Sequence, residues 1–273
     1  MENYTYNSYT LQLEGLNISK DSLYPALLFL FFSYLFIMIL NVGITILIFI
    51  NKNLHQPMYL LYCNLPLNDI LANSIVVPRL LIDLMRPPSE RLISYYQCVV
   101  QAYIAHLVGT TMAFVLVGIL LGLTIRLSRC RTLITNPYCD NASLFKLSCE
   151  SVVINNIYGI TFTVVVYVGS IGAIVLSYTN IAVVCLTSKN KSLNSKALKT
   201  CSTHLVVYLI MTFSGMTLIT LHRFPQYSEY RKLSALLFRI VPGSLNPIIY
   251  GVQSKELQKA LLKFYVSKKV LAS

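Results

Sequence analysis

Six long apolar runs limit what this chain can fold into more than any other feature of its sequence. They cover residues 25–50, 58–78, 99–125, about 160–186, about 201–221 and about 233–252. A membrane-spanning helix needs about 20 mostly apolar residues, and a helix is favoured in lipid because it satisfies its own backbone hydrogen bonds. Barrel strands would be shorter and would alternate between apolar and polar residues. The runs therefore predict an all-α membrane protein with six candidate spans.

The charge of the chain supports this class and excludes others. Charged residues make up 12% of the chain, against about 25% in soluble domains. The formal net charge is +12, but the basic residues lie between the apolar runs, as is usual for loops beside membrane spans. The chain has no polar domain large enough to read a nucleic-acid groove, so we expect a lipid bilayer as partner and no nucleic acid.

The N-terminal 24 residues are polar and lack the short apolar core of a signal peptide. Asn3 and Asn17 each begin an N-glycosylation triplet. We therefore predict an extracellular tail at 1–24, followed by the helical bundle at 25–252.

The C-terminal segment 253–273 predicts a short amphipathic helix. Leu257, Leu261 and Phe264 recur at helical spacing with lysines between them. Such a helix suits a cytoplasmic membrane face rich in anionic lipid. An ordinary solvated tail is the alternative.

Several polar residues lie inside the apolar runs, where lipid disfavours them. Asn41 lies in the first run, Asp69 in the second, and Asn246 and Pro247 in the last. A carboxylate in a span usually faces a polar cavity, and an asparagine there bonds across helices. The residues form either three independent interhelical contacts or one polar cluster that holds a switch.

Four cysteines lie in polar connections, namely Cys98, Cys130, Cys139 and Cys149. They suggest disulfides in an oxidising compartment. A zinc site is the weaker alternative, since no Cys-x-x-Cys pair and no nearby histidine pair exist. No span offers two carboxylates or a nucleophile with a base, so we expect no enzyme, no cofactor and no metal site.

Four motifs in order give the chain a family resemblance. They are LHQPMY at 54–59, SYTNI at 177–181, KALKTCSTHL at 196–205 and PGSLNPIIY at 242–250. Together with Asn41 and Asp69, they resemble the odorant receptors of the rhodopsin-like G-protein-coupled class, and fish-type members look closest. The resemblance covers nearly the whole chain and implies a seven-helix receptor bundle in the plasma membrane.

The resemblance also implies roles for individual residues. A small-molecule odorant would contact residues of four helices: His106, Gly109, Thr110, Phe162, Val166, Thr212, Gly215 and Arg239. The switch would use Asn41, Asp69, Tyr178, Asn246, Pro247 and Tyr250. A heterotrimeric G protein would dock at Lys196, Lys199 and His204. The disulfides would join Cys98 to Cys139 and Cys130 to Cys149. 

Arg239 and the sixth helix carry the two features that bear most on the ligand. Arg239 lies in an apolar run, so it contacts the ligand, partners another polar group or snorkels to the interface. If it faces the pocket, an acidic or hydrogen-bond-accepting ligand is expected. Met211 and Thr212 replace the family's aromatic pair on the sixth helix, which changes the pocket floor.

The chain departs from the family pattern at a seam near 112–115. Family members end the third helix with Met-Ala-Tyr-Asp-Arg-Tyr, but Met112-Ala113-Phe114 is followed here by Val115. The Asp-Arg-Tyr arginine, which the family uses to gate G-protein docking, is absent with the second cytoplasmic loop. Only 31 residues separate Cys98 from Cys130, whereas two spans need about 40. The region supplies one crossing at most.

Three topologies remain open for 99–150. If 99–125 does not cross, ten Lys and Arg outside the spans lie inside the cell and eleven outside. Six crossings with the N-terminus outside place eight of these Lys and Arg residues inside the cell and thirteen outside. Six crossings with the N-terminus inside place thirteen inside and eight outside. The last option satisfies the positive-inside rule but places both glycosylation triplets inside the cell, and either six-crossing form separates Cys98 from Cys139.

Two functions follow from these features. The first is an odorant receptor whose signalling is impaired by the internal deletion. The second is a non-signalling truncated isoform or pseudogene product, retained in the endoplasmic reticulum. A channel or transporter is disfavoured, because the sequence has no inverted repeat and no filter loop.

Overall fold

The structure is a computed structural model, which describes residues 5–51, 64–109, 114–187, 191–253, 258, 259 and 262. Within these residues the helices are α1 (Lys20–Ile50), α2 (Asn64–Met85), α3 (Tyr95–Gly109), α4 (Phe114–Ile125), α5 (Asn141–Phe145), α6 (Val153–Thr187), α7 (Lys191–Leu221) and α8 (Ser228–Gln253). The strands are β1 (Thr10–Leu13), β2 (Leu92–Ser94) and β3 (Leu133–Ile134). Short 3-10 turns cover Pro88–Glu90 and Pro225–Tyr227.

Three helices among the described residues are long and apolar enough to cross a membrane. They are α1, α2 and the Val153–Cys185 part of α6. Leu116–Ile125 and Leu205–Leu221 are shorter apolar helices. The count of six spans therefore stays a prediction, although helix covers every predicted run except parts of the second and third.

The third run, 99–125, differs from the single helix that its apolar composition suggests. It contains two helices, α3 of 15 residues and α4 of 12 residues. At 1.5 Å per residue, each is shorter than the roughly 30 Å hydrocarbon core. Leu121 of α4 packs against the core that holds Cys98 and Ala102 near the start of α3. The two helices therefore run antiparallel, and the run begins and ends on the same side of the molecule.

Polar atoms and a glycine bring α1, α2 and α8 close together. Asn41 Nδ2 donates to the carbonyl oxygens of Ile37 at 2.8 Å and Gly243 at 3.0 Å. A Cβ atom on Gly243 would lie 3.1 Å from Asn73 Nδ2 and 3.3 Å from Ile37 Cγ2. The absence of a side chain at Gly243 is therefore what permits this approach of α8.

A small sheet closes one end of the bundle. Strand β1 pairs antiparallel with β2 and parallel with β3, so the N-terminal strand is the central one. Leu11 and Leu13 point into a core that also holds Ile93, Ile134 and the Cys98–Cys139 bridge. We call β1, β2 and residues 126–150 the lid. The tail predicted at 1–24 thus contributes a buried strand, and α1 begins at Lys20 rather than at the apolar run.

Two disulfides fix the lid. Cys98, near the start of α3, bonds to Cys139, and Cys130 bonds to Cys149; the Cα atoms lie 5.3 Å apart in both pairs. These are the pairs that the family resemblance implies. The first bridge ties the lid to α3, and the second closes a 19-residue separation within the lid.

Buried ionic groups hold the start of α8 against the lid and the N-terminal segment. Lys232 is fully buried, and its Nζ donates to Glu14 Oε1 at 2.7 Å and Glu229 Oε1 at 3.0 Å. Arg231 Nε donates to Asn136 Oδ1 at 2.8 Å. Burying a charge is unfavourable unless it is paired and hydrogen-bonded. These bonds therefore fix where Glu14 and Asn136 can lie.

Asp140 joins the lid to the end of α7. Its carboxylate accepts hydrogen bonds from Asn136 Nδ2 at 2.6 Å and from the Ser143 backbone at 2.7 Å, and it lies 3.2 Å from His222 Nε2. Burial by itself would raise the pKa of Asp140. The charge of His222 and the hydrogen bonds from His222 and Ser143 outweigh burial and hold that pKa below its ordinary value.

Replacing Cys98 or Cys139 by serine should destabilise the chain by about 2–4 kcal/mol, because the bridge restricts the unfolded chain over a separation of 41 residues. The measurement is thermal unfolding of the purified, detergent-solubilised protein. Cys185→Ser is the matched control, since Cys185 is outside both disulfides. Equal melting temperatures for Cys139→Ser and Cys185→Ser would contradict the structural role of the bridge.

Acid should release the contact between Asp140 and the lid. A carboxyl whose pKa is lowered by folding stabilises the fold fully above its unfolded pKa of about 4, and this contribution disappears as the pH falls through the folded pKa. We therefore expect Tm to fall as the pH drops below about 4. Asp140→Asn should lower Tm at pH 7 and should make Tm depend less on pH below about 4. If Tm falls equally steeply with pH in both proteins below about 4, Asp140 is not the cause of the acid destabilisation.

Candidate functional site

The predicted ligand contacts lie on four helices. His106 lies on α3, Phe162 and Val166 on α6, Thr212 on α7, and Arg239 on α8. Phe162 is buried, whereas Val166 and Thr212 are partly buried. Gly109 is the last residue of α3, and Thr110 lies outside the described residues.

Arg239 is the charged centre of this region. Its Cζ atom lies 4.6 Å from the centre of the Tyr138 ring, which is a cation–π distance. Its Nε atom is buried and has no hydrogen-bond partner. Arg239 thus points toward the lid rather than snorkelling away from it.

His106 and Asp140 lie close enough to this pair to interact with it electrostatically, and His222 interacts with His106 and Asp140. His106 interacts electrostatically with Asp140, Arg239 and His222. Burial raises the pKa of the Tyr138 hydroxyl above its ordinary value, and the charge of Arg239 only partly opposes this. Tyr138 is therefore a neutral group at physiological pH. We call His106, Tyr138, Asp140, His222 and Arg239 the polar cluster.

Apolar side chains lie directly beside the polar cluster. Val76 of α2 and Ala235 of α8 are buried against Tyr138. Ile75 and Leu218 are partly buried and pack on the same group. An arginine, a phenol and an apolar wall in one place are what a small amphipathic ligand requires.

Gly215 has a packing role that the sequence alone does not show. A Cβ atom there would collide with the Tyr167 hydroxyl of α6 and would lie 3.2 Å from Phe238 Cε2 of α8. Gly215 therefore lets α6 and α8 approach α7. Its role as a ligand contact stays a prediction.

Sequence reasoning missed Tyr138, Asp140 and His222. Tyr138 directly precedes Cys139, so its position on the lid follows from the disulfide, and that signal was present. Asp140 and His222 are 82 residues apart in the sequence. No local pattern relates them, and only the folded lid brings them together.

Hydrogen bonds of Asn41 and Asn246 join α8 to α1 and α2, and we call Asn41, Asp69, Asn73, Gly243 and Asn246 the switch network. That these residues act as one switch stays a prediction. Asn246 Nδ2 donates to Asp69 Oδ2 at 3.2 Å, and Asn73 Nδ2 donates to the Asp69 carbonyl oxygen at 2.8 Å. Asn73 Nδ2 also lies close to Gly243, whose carbonyl oxygen accepts a hydrogen bond from Asn41. Asn73 was missed, although it lies one helical turn after Asp69 and hence on the same face.

The remaining switch residues are placed by their helices. Pro247 is buried inside α8, and Tyr250 lies on the same helix. Tyr178 is on α6 and is partly buried. Their part in the switch stays a prediction.

The residues predicted to face a G protein, Lys196, Lys199 and His204, all lie in the first half of α7. This half is opposite the α7 end that meets the lid through His222. Of the predicted C-terminal helix, Leu257, Leu261 and Phe264 lie outside the described residues, as does the motif at 54–59.

The glycosylation triplets differ in accessibility. Asn3 lies outside the described residues. Asn17 is exposed, and its Nδ2 lies 3.3 Å from both Glu14 Oε1 and Glu229 Oε1. A third triplet begins at Asn141, but that side chain is buried. Asn17 is therefore a usable reporter of topology, whereas Asn141 is a poor one.

A shallow groove of about 530 Å³ lies on the outer surface of the bundle. It is lined by Phe32, Phe36 and Ile39 of α1 and by Ser244 of α8, among others. Its lining has no charged residue and faces outward, as expected for a surface covered by lipid. The groove is separate from the polar cluster.

Comparison with known proteins places this geometry in a family. A family model described as olfactory receptor matches residues 105–268. Human olfactory receptor 52J3 is 31% identical in an alignment 282 positions long, which covers 86% of this chain and 88% of the relative. Human olfactory receptor 52N5 is 27% identical in an alignment 281 positions long, which covers 86% of each protein.

The fold is similar to that of a solved receptor. The crystal structure of squid rhodopsin matches with a TM-score of 0.55 over 92% of this chain and 87% of that chain. At 15% identity this match shows the fold alone. The family model and the relative at 31% identity show that this chain belongs to the olfactory receptor family, which comprises multi-pass G-protein-coupled receptors and not enzymes.

Proposed function

We propose that this chain binds a small-molecule odorant between α3, α6, α7 and α8, directly beneath the lid. The observation that carries the proposal is the polar cluster, in which side chains from α3, the lid, the end of α7 and α8 converge beside an apolar wall. The predicted contacts Phe162, Val166 and Thr212 would complete the apolar part of the site.

Helix α8 offers a direct route from the ligand to the switch network. Arg239 and Asn246 lie on this helix seven residues apart, which is about two turns or roughly 10 Å. The two side chains therefore share one face. A ligand that binds better to one position of α8 would shift the bundle toward that position, as in any two-state equilibrium.

We further propose that 99–125 does not cross the membrane and that the chain makes five crossings. The lid supports this, because it holds Cys98, Cys139 and the end of α4 on one side. The N-terminus would then be outside and the C-terminus inside. The localisation would be the plasma membrane. The fish-type assignment stays a prediction.

Epitope tags at the two termini should lie on opposite sides of the membrane, because five crossings are an odd number. We expect the N-terminal tag to stain in intact cells and the C-terminal tag to stain only after permeabilisation. Six crossings would place both tags on the same side, and that result would overturn the proposed topology.

The internal deletion is expected to impair signalling. The alignments with both human relatives are longer than the 273 residues of this chain although each covers only 86% of it, so this chain has gaps within them, which supports a missing internal block. The block would include the Asp-Arg-Tyr arginine and the second cytoplasmic loop. Lys196, Lys199 and His204 remain on α7 for contact with a G protein, but the residue that gates docking does not.

Cells that display this chain should therefore show little or no ligand-dependent rise in cAMP. A full-length odorant receptor in the same cells is the positive control, and surface staining of the N-terminal tag confirms display. A ligand-dependent cAMP rise mediated by this chain would contradict the proposal.

The alternative is a non-signalling chain retained in the endoplasmic reticulum. The packing of α6 favours it, since only 6% of its most apolar window is buried, against 22% for α1 and 28% for α2. A helix with so few neighbours has less to hold it in the bundle. A glycan at Asn17 that remains sensitive to endoglycosidase H would identify such retention.

A further inference from the structure

We propose that Arg239 binds the carboxylate of the ligand, so that this site takes small monocarboxylic acids with an apolar tail. The inference rests on the proposed function and names the ligand class of the same site. It depends on three features of the polar cluster. These are the unpaired donor of Arg239, the hydrogen bonds that Asp140 already accepts, and the apolar side chains beside Tyr138.

Arg239 has an unused hydrogen-bond donor and no acidic partner among the described residues. It contacts the ring and the hydroxyl of Tyr138 in the lid, whereas its buried Nε atom has no hydrogen-bond partner. A buried donor without a partner is destabilising, and more so when the group is charged. An acceptor supplied by a ligand would remove this penalty.

Asp140, the acid of the polar cluster, already has hydrogen-bond partners. Asp140 accepts hydrogen bonds from Asn136 and from the Ser143 backbone, and it contacts His222. Neutralising Arg239 would require Asp140 to leave these partners. The positive charge of Arg239 is therefore available to an anion from outside the chain.

The chemistry of the surroundings fits a carboxylate with a short hydrocarbon tail. A guanidinium presents parallel N–H donors that match both oxygens of a carboxylate, which a lysine ammonium cannot do. The adjacent side chains of Val76, Leu218 and Ala235 would contact the tail. Tyr138 covers the guanidinium in the structure, so the ligand would enter by displacing its ring.

The test compares three probes of equal length, namely hexanoate, hexanamide and 1-hexanol. Each is titrated into the full-length chain, purified in detergent at pH 7.4, and the apparent Kd is taken from the concentration dependence of Tm. Binding rather than signalling is measured, because the chain is expected not to activate a G protein. We expect hexanoate to bind about tenfold to a hundredfold more tightly than the two neutral probes.

Two variants at Arg239 test the residue itself. Arg239→Gln should remove the preference for hexanoate while leaving the affinity for 1-hexanol unchanged, which also shows that the variant is folded. Arg239→Lys keeps the charge but loses the paired donors, so it should retain only part of the preference. Arg223→Gln is the matched control, because Arg223 is exposed just after α7, and this change should leave all three affinities unchanged.

The outcomes separate the inference from the function on which it rests. Equal affinities for the three probes in the unmodified chain would overturn the carboxylate inference and leave the odorant site intact. A preference for hexanoate that persists in both Arg239 variants would also overturn it. If no probe, nor any of a wider panel of neutral odorants, shifts Tm, both the inference and the proposed function fail.

Discussion

The Cys98–Cys139 bridge is the constraint on which the rest of this structure depends. It ties the lid to the start of α3, and the same lid packs on the end of α4 through Phe145. Because of this, a segment too short for two crossings still has both ends on one side. The lid is also what carries Tyr138 and Asp140 to the helix ends, so the candidate site exists only while the bridge holds the lid in place.

The position of α8 depends on contacts at two levels. At the lid, Arg231 and Lys232 are buried and paired with Asn136, Glu14 and Glu229. Deeper in the bundle, Gly243 and Asn246 join α1 and α2 through close approach and hydrogen bonds. Arg239 lies between these levels. The helix is thus held at both levels, and a ligand at Arg239, as proposed above, would act on the element that links the lid to the switch network.

The motif at 242–250 and the helix α6 differ in how firmly the bundle holds them. Gly243 and Asn246 of that motif contact α1 and α2 through close approach and hydrogen bonds. Helix α6 has little buried surface, since only 6% of its most apolar window is buried. The contacts among α1, α2 and α8 therefore do not depend on α6.

The sequence by itself determined the membrane class, the family, the cysteine pairs implied by that family, and Asn41, Asp69, Asn246 and Arg239 as polar residues in apolar runs. These follow from run length, composition and short motifs, all of which are local. The tertiary structure decided that 99–125 is a helix pair, that Asn141 is buried, and that Tyr138, Asp140 and His222 meet Arg239. The physical reason is that the lid is assembled from distant segments by a disulfide, a parallel strand pairing and buried ion pairs, and no local pattern encodes where such segments meet.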